Sequence, residues 1–392
     1  MYGVVMRSHD RNLRKRAYKS YYKSFENLLN TITSTYYGSV KKDVFNAKAR
    51  NYGSTLEMAL ATEDVTKDVY DNLITSVDKA LPLLHEYMRV KKKELGLKKM
   101  YMYDMYVPTV ENAEIELEYD DAYNLVIEGL KPFGKEYGEL LKKAHDERWV
   151  DVYETKGKKS GAYSAGVFDT HPYVLLNYQK TTNEVFTIAH EMGHSMHTYF
   201  SNRTQPYAKA DYKIFVAEVA STVNEVMLVN YLLSTAKDDK LKKYLLSYLL
   251  EMIRTTLFRQ TQFSEFEQYA HETVEKGEPL TKDGMSAKYA EINEKYYGDA
   301  IEKGCEIRYE WARIPHFYRA FYVYKYATGI TSALAIANRI LTEGEPAVKD
   351  YFKFLSSGGS DSPVELLKIA GVDLTKKEPF EAAFKTFENA LE

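Results

Sequence analysis

The sequence predicts a mainly α-helical fold carrying one small β-sheet. Apolar residues recur at three- and four-residue spacing over 12–36, 56–96, 118–149, 184–200, 213–234, 240–276, 284–299 and 317–342, the period of helices with one buried face. Ten prolines in 392 residues leave those runs nearly uninterrupted, since proline removes a helix donor and clashes with the preceding turn. Only two segments break the pattern.

The first, residues 98–107 with the run MYMYDMY, alternates roughly and is a strand candidate. The second, residues 160–178 (SGAYSAGVFDTHPYVLLNY), reads as a glycine loop followed by a strand from Tyr173 to Tyr178. That strand leads directly into the 184–200 helix, which places the sheet beside it. Near the C-terminus, Ser362-Pro363-Val364-Glu365 supplies an N-cap, a proline at the first helical position and an early acid. No internal repeat or low-complexity tract is visible.

Bulk composition excludes several classes of function. A net charge of -3 gives no field for nucleic acid or an anionic membrane surface. The longest apolar stretch, ATGITSALAIA, is too short for a bilayer and ends at Asn338 and Arg339. No apolar run follows the basic N-terminus MYGVVMRSHDRNLRKRAY, so it is not a secretory signal. The single cysteine, Cys305, cannot form an internal disulfide and is expected as a small buried residue in a reducing compartment. A cytoplasmic protein is the expectation. Tyrosine is the outlier, with 35 copies against 17 phenylalanines; it suits a wet cleft as well as a core.

The chemistry concentrates in HEMGH, His190 to His194. Residues four apart share a helix face, so both imidazoles can reach one Zn2+ ion. Glu191 lies beside that site, where a carboxylate can accept a proton from a water acidified by the metal. Gly193 fits a place where another chain passes close to the helix. A catalytic zinc takes three protein ligands and keeps a position open. On the following helix, Glu218 is the better third ligand, because Ala217, Ala220 and Ser221 allow close approach. Glu225, seven residues on and on the same face, then steadies a histidine ligand, or else is a surface carboxylate. His197 shares the face of His190 but lies two turns away, which strains a role as ligand. It is expected behind the ligands or facing substrate.

The run from GAYSAG through PYVLLNY to HEMGHSMH, then FVAEVASTVNE, RQTQFSEFE (259–267) and IPHFYRAFYVYKYATGI (314–330), resembles the oligoendopeptidase F branch of the thimet oligopeptidase family. The resemblance covers essentially the whole chain. It implies a large helical zincin-type fold with a deep substrate channel, one zinc per chain, and cleavage of short peptides. It gives His190, His194 and Glu218 the ligand positions and Glu191 the role of base. Members of that branch usually carry a further helical segment before the point where this sequence begins, so the chain looks like the later part of such an enzyme. A single catalytic domain over 1–392 is expected, with 1–150 a channel wall and 151–392 the zinc-binding region.

Two further segments have proposed uses. On a helix, Tyr318, Tyr322 and Tyr326 would form one stripe, either a core stripe or, with His316, donors to the oxyanion of a tetrahedral intermediate. Thimet-type relatives use a histidine followed by spaced tyrosines in this way; His316, Tyr318 and Tyr322 are the candidates here. The strand carrying Tyr173, Val174, Leu175 and Leu176 offers an edge to which a peptide adds as an extra strand, or else belongs to an ordinary hairpin. The function expected is a zinc endopeptidase of short oligopeptides. The competing readings are a zinc exopeptidase and a silent peptide-binding protein with structural zinc. Oligomeric state and side-chain preference leave no mark in the sequence.

Overall fold

The computed structural model describes residues 2–110 and 115–392. Helices dominate, and a three-stranded sheet lies beside the motif helix, Thr182–Thr204. Several of the long runs divide. The first becomes Arg11–Glu26 and Leu29–Ala49, and 56–96 becomes Thr55–Thr62 and Lys67–Glu94. Asp64, at φ 56°, separates the latter pair, a left-handed residue just past a helix end. Gly134, at φ 90°, does the same between Tyr119–Gly129 and Lys135–Asp146. The 240–276 run holds Asp239–Ile253 and Arg259–Glu275 with a π turn between them.

Residues 98–107 do not form a strand. Met102–Asp104 is a 3-10 turn, because Met102, Tyr103, Asp104 and Met105 are all buried in succession and alternation fails. The carboxylate of Asp104 organises the turn, accepting from the Tyr101 N–H and from Arg11 and Arg14. Cys305 is also misplaced by the sequence; it is exposed, in the loop after helix Lys282–Tyr297.

The sheet comprises β1 (Val150–Asp151), β2 (Tyr163–Ala165) and β3 (Tyr173–Leu175), in the order β1-β3-β2. β3 pairs parallel with β1, Val150 opposite Val174, and antiparallel with β2, Ser164 opposite Val174. The strand expected to offer a free edge to a peptide is therefore the central one. Its two sides are occupied, and β2, an edge strand, packs against the motif helix. There the hydroxyls of Ser164 and Ser195 share a hydrogen bond of 2.9 Å.

Three helices frame the site: the motif helix, the ligand helix Ile214–Thr235, and the helix Tyr324–Glu343. The first begins where Thr181 caps it, accepting from the Glu184 N–H. It buries Val185, Phe186, Ile188, Ala189, Met192 and Met196. At Gly193 the motif helix meets the ligand helix so closely that a Cβ there would lie 2.5 Å from Ser221 Cα and 2.6 Å from the Ala220 oxygen. Only glycine fits. No helix among the described residues is long and apolar enough to cross a membrane.

One buried charge ties the rim of the fold together. Glu310 accepts from Arg259 at 2.7 Å, from Tyr289 at 2.5 Å, and from Arg313. Burial alone would raise its pKa, but Arg259 and Arg313 hold it at about 2, against an ordinary 4.5. A depressed carboxylate adds stability above its unfolded pKa and loses it as pH falls through the folded one. Glu310→Gln is expected to destabilise the protein by about 3 kcal/mol at pH 7, since one partner of a buried pair is lost. In guanidinium unfolding, the gap to wild type should narrow between pH 5 and pH 2.

Candidate metal centre

Three donor atoms converge where the motif and ligand helices cross. His190 Nε2 and His194 Nε2 lie 3.2 Å apart. Glu218 Oε2 lies 3.4 Å from the first and 3.6 Å from the second. Among the described residues this is the one group of three such side chains spaced to hold a metal ion. A tetrahedral ion with ligands at about 2.0–2.1 Å needs donor separations of about 3.3–3.4 Å, so the triangle fits with the fourth apex left over. The fit depends on lone pairs facing inward. Glu225 arranges this for His190, accepting from Nδ1 at 2.5 Å and so assigning the lone pair to Nε2. His194 makes its own hydrogen bond to the backbone of Ala217.

Electrostatics follow the same contacts. Burial lowers the basicity of His190, but Glu225 and Glu218 outweigh it and hold the ring well above the usual histidine range. Burial and the neighbouring His190 hold His194 down at about 4. Against burial, the two histidines keep Glu218 below the ordinary carboxylate value. Glu191 is pushed up to about 7 by burial, against the pull of His190. Its Oε2 has no hydrogen-bond partner among the described residues, while the backbone of Ser164 on β2 donates to its carboxylate.

Glu191 and His190 line a cavity of about 190 Å³ with Asn183, Phe186, Thr187, Glu225 and Tyr248. Asn183 and Tyr248 also line a larger cavity of about 730 Å³ reaching Arg7, Tyr106 and Thr255. Of the triad, His190 lines the smaller cavity, together with Glu191.

The remaining candidates separate. His316, Tyr322 and Tyr326 come together: His316 Nε2 and the Tyr326 hydroxyl are 3.5 Å apart, and the Tyr322 ring lies 6.0 Å from His316 and 5.5 Å from Tyr326. One helical turn past Tyr326, a Cβ on Gly329 would touch Glu218 Cβ at 3.6 Å, so this cluster flanks the third ligand. Tyr318 stands apart. It lies in the 3-10 turn Pro315–Tyr318, and its hydroxyl bonds that of Thr35 at 2.8 Å. The expected tyrosine stripe does not form, because the helix starts only at Tyr324. His197 is buried two turns along the motif helix from His190, with its ring stacked on Tyr212 at 3.7 Å.

Two residues escaped the sequence. Asn224, fully buried, donates to the Ala189 carbonyl at 2.9 Å and accepts from Tyr137 at 2.9 Å, locking the two helices just before the first ligand. Tyr248 hydrogen-bonds Glu225. Asn224 had a signal, a polar residue amid an apolar run. Tyr248 is one tyrosine among many and had none. Glu225→Ala is expected to weaken divalent-metal affinity about 10–100-fold, read by competition with a chelator, whereas Glu218→Ala should leave no stoichiometric metal. Gly193→Ala should lower both affinity and thermal stability, by driving a methyl into the Ala220–Ser221 backbone.

The model of peptidase family M3 matches residues 4–386. The chain is similar to oligopeptidase PepF of Bacillus subtilis, 46% identical over 387 residues, covering 99% of this chain and 58% of that protein. An oligoendopeptidase F homolog of Lactococcus lactis is 44% identical over 390 residues, covering 100% and 65%. The crystal structure of oligoendopeptidase-F from Enterococcus faecium superposes with a TM-score of 0.81 at 38% identity, covering 100% of this chain and 64% of that one. The chain thus spans somewhat under two thirds of the length of these relatives. A matching family model over nearly the whole chain, together with a triad at the positions the motif demands, identifies this protein as a member of peptidase family M3.

Proposed function

We propose that the chain is a zinc-dependent endopeptidase hydrolysing short oligopeptides. The observation that carries this reading is the His190, His194 and Glu218 triangle with the unpartnered, buried carboxylate oxygen of Glu191 beside it. A structural metal site has no need of that carboxylate. Relatives named oligopeptidase and oligoendopeptidase support the same assignment. Zinc held by the triad supplies Lewis acidity, polarising a carbonyl and lowering the pKa of a water.

The chain's own residues do the rest. Glu191 accepts a proton from the attacking water as its oxygen bonds the peptide carbon. It then delivers that proton to the leaving nitrogen as the C–N bond breaks. The Ser164 N–H holds the carboxylate in place for both transfers. Glu225, through His190 Nδ1, fixes the ring orientation. His316 with Tyr322 and Tyr326 donates to the oxyanion, which develops charge beyond what one cation neutralises. The peptide lies along the open side of β2, gaining backbone hydrogen bonds without regard to sequence. A lone cysteine fits a cytoplasmic setting.

Mass spectrometry of a defined peptide mixture, with and without chelator, tests the assignment. Internal cleavage of peptides blocked at both ends is expected, and is lost on chelation. Glu191→Gln should lower the rate about 10²–10⁴-fold while bound zinc stays stoichiometric. Zinc and peptide binding without any cleavage by wild type would sink the proposal, and cleavage confined to free termini would make the enzyme an exopeptidase.

A further inference from the structure

The segment RQTQFSEFE ends on Glu267, a carboxylate the chemistry above does not use. Glu267 is 0% exposed on the buried side of helix Arg259–Glu275. Its Oε1 accepts from the backbone N–H of Phe321 at 2.7 Å. Its Oε2 has no hydrogen-bond partner among the described residues. Phe321 is left-handed, with φ 50°, a conformation that a bulky residue keeps only where its surroundings impose it.

The surroundings of Phe321 come from two helices. Its ring packs on His271 at 4.7 Å and on Tyr70 at 6.1 Å. The His271 ring is itself bonded through Nδ1 to the Glu267 carbonyl at 2.8 Å. Glu267 thus holds the backbone of Phe321 directly and its side chain through His271. The reversal at Phe321 separates the turn carrying His316 from helix Tyr324–Glu343. It also sets the direction of the next residue, Tyr322, whose ring meets those of His316 and Tyr326 beside Glu218.

We infer that Glu267 is a positioning residue, whose carboxyl oxygen pins the Phe321 N–H and with it the left-handed turn that presents Tyr322 to the metal centre. The inference rests on the proposed oxyanion role of the His316, Tyr322 and Tyr326 cluster. Burial pushes the Glu267 carboxyl well above the ordinary range, with Asp43 adding to the shift and the Phe321 N–H and Lys325 opposing it. What the turn takes from Glu267 is an acceptor oxygen within reach of the Phe321 N–H. Glutamine offers a carbonyl oxygen at the same distance from the backbone. Aspartate keeps the carboxyl but withdraws it by one C–C bond, about 1.5 Å.

The test compares Glu267→Gln, Glu267→Asp, Tyr322→Phe and the double change E267D/Y322F in the zinc-loaded protein. The readouts are kcat and KM on an internally quenched peptide, melting temperature and zinc content. Glu267→Gln is expected within about threefold of wild type. Glu267→Asp should lose about 10–100-fold in kcat with KM within about twofold, as for a misplaced catalytic group. The double variant should lose no more than the worse single change. A Gln variant as impaired as Asp, or additive losses in the double variant, overturns the proposal. So does an Asp variant that melts lower yet keeps its kcat. Crystal structures of wild type and Glu267→Asp report the turn independently of turnover. Phe321 leaving positive φ and Tyr322 leaving His316 is expected, and an unmoved turn overturns the inference. If wild type cleaves no peptide but the turn moves, the functional reading fails and the positioning of Tyr322 by Glu267 stands.

Discussion

The contact at Gly193 is the constraint on which the site depends. A side chain of even one carbon there would occupy the same space as the Ala220–Ser221 backbone. Without it, the motif and ligand helices approach until Glu218 stands within 3.6 Å of both histidine nitrogens. Glycine inside a helix costs about 1 kcal/mol relative to alanine. The crossing lies within the core, where Val216, Val219, Ala220 and Val223 of the ligand helix are all buried. Asn224 adds a fixed hydrogen bond between the two helices one turn away from the crossing.

Around this crossing, each polar group is held by another polar group. Tyr137 holds Asn224, Tyr248 and Glu225 hold His190, and the β2 backbone holds Glu191. Low local dielectric strengthens every one of these bonds and raises the penalty for leaving any unmade. The excess of tyrosine over phenylalanine acquires a physical reason here. A tyrosine fills core volume and still ends in a hydroxyl that reaches a carboxylate or carbonyl, as Tyr87, Tyr289 and Tyr296 do toward Glu251, Glu310 and Glu265.

What the sequence disclosed is what short-range geometry governs. His190 and His194 are four residues apart on a helix whose periodicity is local, and Glu218 and Glu225 share a face for the same reason. The small residues flanking Glu218 announced a close approach. Non-local decisions left no such trace. β3 became the central strand because residues 150–151 pair with it from the far side, which no pattern within 160–178 could reveal. The tyrosine stripe failed because the N–H of Phe321 is claimed by a carboxylate 54 residues upstream, so helical spacing does not apply before Tyr324. His197 shares the angular position of His190, yet two turns of rise carry it off the ligand cluster and into the stack with Tyr212.

The glycine crossing has one more consequence, for the third donor. Of the three donor separations, the 3.2 Å between His190 and His194 lies within one helix, and the 3.4 and 3.6 Å to Glu218 span the crossing. Two nitrogens and one oxygen are a donor set of the kind borderline-soft divalent ions take, unlike the all-oxygen sets of harder ones. The reach of the third donor is thus a property of helix packing, set by a residue that has no side chain and stands outside the triad.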